Sequence, residues 1–538
     1  MRTFRSARST TEAFFTASPR ADNAAAAGHE LPASSKKLIL GLMVALVIYV
    51  IVRGLAAAAT KPLWMDELFT LTVSSQPTLR ALWAVLARAM DGQPPGFYVV
   101  ERVACSLFHN KEIALRLPAI LAFLCTLVCV FVFVKKRSGE LIAFLCTFLL
   151  LSTILFQRYA VEARPYSMLM ACIAFALVCY QRLPSRFWTA MLGISLVLAQ
   201  ALHYYAVFAI VPFGLAEAVV LLRTRQFRWG VWLALACGAI PLVFFWPLLA
   251  NFKAYYGAHY YRYATYTATS LPSSYGAYFL TDSAFGAAVF ALAVAGVIGS
   301  YLLLRPNNPS EGKVRDADVA EGTLLLALVA LPIITFCLVK IVHGGMRDAY
   351  ALSAVIGIAI ALGCALSLAR PPVVALFALF VFSSVGVREL NFWRANHSLR
   401  LASPATAVEK FVQSSGYGDL PVVVSSGMAY TPLAHYASPA FFQQVFYLMD
   451  EEKELHYQGT DTFDRQVVLL RDYMPLQVRD FAGFTSAHRV FLIYGEEPGD
   501  GYNWLPQHLS HVASSVRSVM VEPYRRLSLV TMKEETSH

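Results

Sequence analysis

Charge is scarce in this 538-residue chain. Only 14% of its residues are Asp, Glu, Lys or Arg, while 57% are hydrophobic. An ordinary soluble domain carries about 25% charged residues, so the composition excludes a chain that is water-soluble along its whole length. Cysteine is absent from the last 150 residues: all nine cysteines lie between Cys105 and Cys364, and no CxxC spacing occurs. That excludes a disulfide framework and a zinc ribbon, and leaves the thiols as small buried hydrophobes. The C-terminal part has neither GxGxxG nor a Walker A pattern, so nothing supports a nucleotide site. Acids are fewer than bases, 34 against 44, giving a formal charge of +10. The bases form no stripe interleaved with aromatics, which argues against nucleic acid as a partner.

Long apolar runs take the place of the missing charge, and mean hydropathy is +0.54. Runs of span length recur from Leu38 to Val387, each matching the roughly 20 residues needed to cross a bilayer core. The fold class expected is a polytopic α-helical membrane protein of about 11 transmembrane helices. Spans are placed near 38–59, 115–134, 140–157, 167–180, 187–203, 204–222, 229–250, 284–304, 321–341, 350–369 and 372–387. Residues 1–37 are basic, rich in Ser, Thr and Ala, and read as a disordered cytoplasmic lead before an uncleaved first helix, despite "AAAA" at 56–59. The short basic links "KKR" (135–137) and "RTRQFR" (223–228), with Arg305, Lys313 and Arg315, then share one side. By the positive-inside rule that side is cytoplasmic.

Three loops fall together on the opposite side: 60–114 with "WMDE", 158–166 with "RYAVEARPY", and 342–350 with "VHGGMRDAY". The motifs played no part in orienting the helices, so their convergence supports one external site. Within the first loop, 78–90 and 96–108 read as short interfacial helices punctuated by "QPP". Residues 388–538 are more polar, and their runs at 421–426, 444–449 and 489–495 alternate with helix-like stretches such as "TPLAHYA". A small C-terminal α/β domain, exported beyond the membrane, is expected. The domains are thus 1–37, 38–387 and 388–538.

Asp66 and Glu67 stand side by side just where the first span ends. Acids at that depth are costly and by default functional. Asp66 reads as a general base for an acceptor hydroxyl or amine, or as a helix N-cap with Glu67 in the first turn. Glu162 and Arg164 either pair with each other or bind acceptor and phosphate. His343 and Arg347 follow the same division, since a guanidinium clamps phosphate oxygens but Asp348 stands beside it. The tyrosine-rich loop 251–283, His203 and Tyr204 read as an interfacial aromatic belt.

"WMDE", "QPPGFYVVERVACSLF", "ALRLPAIL" and "EARPYSML", in that order, resemble the protein O-mannosyltransferase-like branch of the GT-C glycosyltransferases. This branch includes bacterial family 39 and aminoarabinose-transferase-like enzymes. The resemblance covers roughly 38–390 and is densest over 61–170. It implies a membrane enzyme of a bacterial inner membrane that takes a sugar, with inversion, from a polyprenyl-phosphate donor. The acceptor would be a lipid, glycan or protein on the extracytoplasmic face. By position Asp66 matches the branch's catalytic Asp, Glu67 completes the pair, and Glu162 supplies a further polar residue. Arg347 is similar to the arginine facing the donor phosphate; Arg164, His343 and Tyr166 flank the same loops. Gln93 departs from the His or Lys usual before Pro-Pro, which removes one candidate cation. No cofactor is implied and the acids make no evident metal site, although some GT-C enzymes use a divalent metal. The alternative is a transporter or flippase of a lipid-linked glycan. It predicts broken helices and charges at mid-membrane in matching halves, which the sequence lacks.

Overall fold

The computed structural model describes residues 32–263, 266–303, 316–341, 345–399, 404–495, 503–521 and 526–533. Residues 1–31 of the expected lead 1–37 lie outside the described residues, as do Arg305, Lys313, Arg315, His343 and most of the loop 494–503; residues 33–37 of that lead already belong to the first helix.

The first long helix, α1 (Ala33–Thr60), buries Ile39, Met43, Leu46, Val50, Arg53 and Ala57. These positions recur every three or four residues and so form one face. The opposite face leaves Leu38, Leu40, Ile48 and Val52 exposed, as a helix bathed in lipid requires. Three helices follow in the loop 60–114 that was expected to be external: α2 (Met65–Ser74), α3 (Leu79–Ala87) and α4 (Pro95–Leu107). Pro95 opens α4 at its first turn, the place where a missing N–H costs nothing. Next, α5 (Lys111–Leu149) is two helices broken at Gly139, whose φ of 81° suits glycine alone. The break falls just after "KKR", where a link was expected.

Among the described residues six helices are long and apolar enough to cross a membrane, or seven if the pair 317–329 and 331–341, bent by 66°, is one span. The helices Tyr166–Tyr180, Arg186–Leu202 and Ala354–Leu368 are apolar but shorter. Every predicted run is helical, yet the count of about eleven spans is not reached by this measure. The expected boundary at 387/388 falls inside the helix Pro371–Leu399. The helix beginning at Trp229 runs through the first part of the tyrosine-rich stretch to Tyr263, bent at Gly257.

The C-terminal residues form a six-stranded sheet in the order β3-β2-β1-β4-β6-β5. The strands are β1 (Val422–Val424), β2 (Val445–Met449), β3 (Val478–Asp480), β4 (Val490–Gly495), β5 (Ala513–Val521) and β6 (Arg526–Met532). The first four are mutually parallel and β6 runs antiparallel to β4. The run Val422-Val423-Val424 is buried on both faces, as a central parallel strand must be. Strands β3, β5 and β6 were not evident from sequence.

One face of this sheet rests on the loop 60–114. Met65, Phe69 and Val73 of α2 share a core with Tyr430, Val467 and Leu470. Tyr436 accepts the N–H of Leu63 at 3.0 Å and donates to Glu112 at 3.1 Å, and Arg465 donates to the Tyr255 carbonyl at 2.8 Å. The Arg88–Asp472 pair, 2.5 Å but half exposed, adds little. The domain therefore sits directly over the helix that carries Asp66.

Burial pushes the Asp464 carboxyl up to about 6. A carboxyl whose folded pKa exceeds its unfolded value gives stability that is complete below the unfolded pKa, about 3.9, and is lost as pH rises through the folded one. The C-terminal domain is therefore expected to melt at lower temperature at pH 7 than at pH 4.5. Asp464→Asn should flatten that dependence in a calorimetric scan.

Candidate active site

The chain leaves α1 at Lys61 and re-enters a helix at Met65, with Trp64 as the flanking extended residue. Asp66 is therefore not an N-cap; it lies inside the first turn of α2. Glu67, one residue on, points the other way. Its side chain and that of Arg116 are both fully buried. Arg116 donates Nε to Oε1 at 2.8 Å and Nη2 to Oε2 at 2.5 Å. The same guanidinium reaches the carbonyls of Ala58 and Pro62, each at 3.0 Å, and that of Lys61. Glu67 also accepts the N–H of Ala163 at 2.9 Å and of Trp64 at 3.3 Å. Burial alone would raise its carboxyl, but the Arg116 charge and these donors hold it below the usual range. Sequence reading paired Glu67 with Asp66 in catalysis. The structure buries Glu67 against Arg116 and joins it to the backbone of Ala163, the residue between Glu162 and Arg164.

Arg164, 6% exposed, is the centre of the open cluster. Its Nη1 donates to Asp91 Oδ2 at 2.6 Å, and its Nη2 lies 3.7 Å from Asp66 Oδ2. Asp66 keeps 35% of its side-chain surface open even though protein surrounds it. Burial raises its pKa, Arg164 opposes that, Asp91 and Glu162 add to it, and Arg347 opposes it more weakly; the net direction is upward. A carboxylate so raised is a stronger base than a free one. Arg347 lies exposed on its loop, near enough for its charge to act on Asp66, Tyr159 and Tyr166.

Glu162 accepts Arg158 Nε at 2.9 Å and lies 3.5 Å from Lys61 Nζ through the same oxygen, Oε1. Among the described residues its Oε2 is buried without a hydrogen-bond partner, as is Gln93 Oε1. His203 is 2% exposed. Its Nδ1 accepts the Tyr205 N–H at 3.1 Å, so the neutral ring carries its proton on Nε2, which has no partner. Tyr166 stands between, its ring 4.6 Å from Tyr159 and 5.4 Å from His203. The cluster thus offers unfilled acceptors and a donor beside a base and a buried cation. That is the equipment to receive a hydroxyl-rich ligand, because buried polar groups without a protein partner gain one on binding.

Sequence reading brought Asp66, Glu162, Arg164, Gln93 and Tyr166 to this region. It missed Asp91, which "AMDGQPP" presents as a turn residue, and took His203 for an interfacial anchor. Among the described residues no group of three His, Cys, Asp or Glu side chains is placed to hold a metal ion.

Residues 92–250 match the family of dolichyl-phosphate-mannose-protein mannosyltransferases. The resemblance to the protein O-mannosyltransferase-like branch holds over that segment. It takes in Gln93, Glu162, Arg164, Tyr166 and His203 and begins one residue after Asp91. No curated protein matches the chain. Among solved structures, ArnT from Cupriavidus metallidurans bound to undecaprenyl phosphate is 15% identical, with 91% of this chain and 97% of that one covered and a TM-score of 0.49. The Archaeoglobus fulgidus oligosaccharyltransferase AglB, in complex with an inhibitory peptide and a dolichol-phosphate, is 13% identical, with 74% and 61% covered and a TM-score of 0.40.

One expectation follows from the charges around Asp66. Asp91→Asn removes a like charge and frees Arg164 to pair more closely with Asp66. Both changes favour the ionised Asp66 carboxylate, so if it is the titrating base the acid limb of a pH–activity profile moves to lower pH. A limb that stays in place would mean that another group titrates.

Proposed function

We propose that this chain is an integral-membrane glycosyltransferase that moves a sugar from a polyprenyl-phosphate donor to an acceptor on the extracytoplasmic face. The observation that carries the reading is Asp66, an open and pKa-raised carboxylate held 3.7 Å from buried Arg164, beside unfilled polar atoms of Gln93, Glu162 and His203. The family matched over 92–250 is named for a dolichyl-phosphate-linked mannose donor, which supports the lipid-phosphate class of donor.

In the reaction the acceptor oxygen or nitrogen attacks the anomeric carbon as the bond from that carbon to the phosphate oxygen breaks. While still ionised, Asp66 steadies the sugar carbon as it becomes cation-like, and it then takes the proton from the attacking group and becomes neutral. The electron pair leaves with the polyprenyl phosphate, whose growing charge is met by Arg347 and, deeper in, by Arg164. Attack opposite the leaving group inverts the sugar. Arg164 supplies the cation that the Gln93 position lacks. Glu162 and Tyr166 are read as binding the sugar hydroxyls, and His203, being neutral, as a hydrogen-bond donor.

Mass spectrometry of glycolipids and glycoproteins from cells with and without the protein tests this reading. One sugar should be missing from one acceptor class when the protein is absent. An intact lipid-linked glycan accumulating on one face, with no sugar missing from its structure, would favour the flippase alternative.

A further inference from the structure

Two cavities on the outer surface of the helical bundle, of about 700 and 630 Å³, share Val197 and Cys237 as lining residues. Both follow the seam between the helices Arg186–Leu202 and Trp229–Tyr263. A Cβ at Gly230 would meet Thr189, one at Gly193 meets Ala234, and one at Gly238 meets Leu196, so the two helices run parallel and touch through small residues. The smaller cavity ends under Trp83 and Phe245, toward the reaction site. The larger ends at Arg186 and Arg228, at the far end of the same helices.

That far end is strongly basic. Between residues 181 and 230 the cations are Arg182, Arg186, Arg223, Arg225 and Arg228, and the single acid is Glu217. Glu217 is already engaged, accepting from Arg228 Nε at 2.8 Å and from Tyr180 at 2.7 Å. Among the described residues Arg186 has no ion-pair partner, and it is exposed at the cavity mouth. Below it the lining is apolar, with Ile194, Leu198, Leu233 and Cys237.

We propose that this end of the seam binds an anionic phospholipid. Its head phosphate sits on Arg186, next to Arg228, and an acyl chain lies along the apolar floor. The pairing of a cationic mouth with an apolar slot between membrane helices fits a lipid of negative headgroup charge. It does not fit the sugar donor, whose phosphate belongs with Arg164 and Arg347. The helix Arg186–Leu202 has 17 residues, so its Arg186 end lies about 25 Å from the site. The exclusion of the sugar donor rests on the glycosyltransferase reading; the cationic mouth and apolar slot do not, and phospholipid retention is measured without any transfer assay.

Native mass spectrometry of the full chain released from nanodiscs of equal phosphatidylglycerol and phosphatidylcholine content tests it. One phosphatidylglycerol should be retained in preference to phosphatidylcholine. Arg186→Gln should weaken that retention about fivefold, the effect of one cation near a lipid surface. Ala190→Trp, at an exposed position on the cavity wall, should abolish it by filling the slot. Arg225→Gln, a loop cation outside the lining, should leave it unchanged. Equal retention of the two lipids, equal loss with Arg225→Gln and Arg186→Gln, or an isoprenoid retained in place of the phospholipid would each overturn the proposal.

Discussion

Asp66→Asn is expected to lower the rate of sugar transfer by about 10²–10⁴-fold, the range for loss of a positioned general base. Donor affinity should change little, because Arg347 and Arg164 remain to meet the phosphate. The amide is nearly isosteric, and its contact with Arg164 is a 3.7 Å approach rather than a close hydrogen bond. The fold should therefore persist, with an unchanged melting temperature in detergent. A variant that transfers sugar at the wild-type rate would remove Asp66 from the chemistry. A variant that loses donor binding and rate together would make it a binding residue instead.

Glu67→Gln should behave in the opposite way, although it alters the neighbouring residue. Here a buried carboxylate is lost while Arg116 stays fully buried and charged. Removing one partner of such a pair costs about 3–5 kcal/mol, because the remaining charge has no compensation. The expected result is a lower melting temperature and poor recovery from the membrane, with activity lost in proportion to folded protein. Replacing Arg116 by Met in the same chain should restore part of the stability by removing the orphaned charge. Full stability would not return, because Arg116 also binds the Ala58, Lys61 and Pro62 carbonyls. A Glu67→Gln protein as stable as wild type yet inactive would place Glu67 in the reaction after all.

Sequence reading found the Asp-Glu pair because two acids at the end of an apolar run break the pattern around them. It did not divide their roles, because the division rests on Arg116, 49 positions away, and spacing says nothing of a contact at that range. Asp91 and His203 escaped for a related reason. Each is an ordinary residue for its local setting, a turn acid and a helix-end histidine, and becomes unusual only when folding sets both around Arg164. The helices were legible from apolar runs throughout, whereas the number that cross the membrane depends on length, bending and neighbours. In the C-terminal domain the buried parallel strands announced themselves as β-branched runs. The edge strand Ala513–Val521 mixes Ser and Arg with Val, so its ladder with Arg526–Met532 was not visible beforehand.

The central claim is that this site breaks the bond between a sugar and a polyprenyl phosphate. The most direct measurement is a mass-resolved count of free polyprenyl phosphate released by the purified protein in nanodiscs supplied with polyprenyl-phosphate sugar and acceptor. With the wild-type chain, release should be matched mole for mole by glycosylated acceptor, and with Asp66→Asn there should be almost none. Intact donor after prolonged incubation across donor sugars and acceptor classes, or equal release by both proteins, would contradict it.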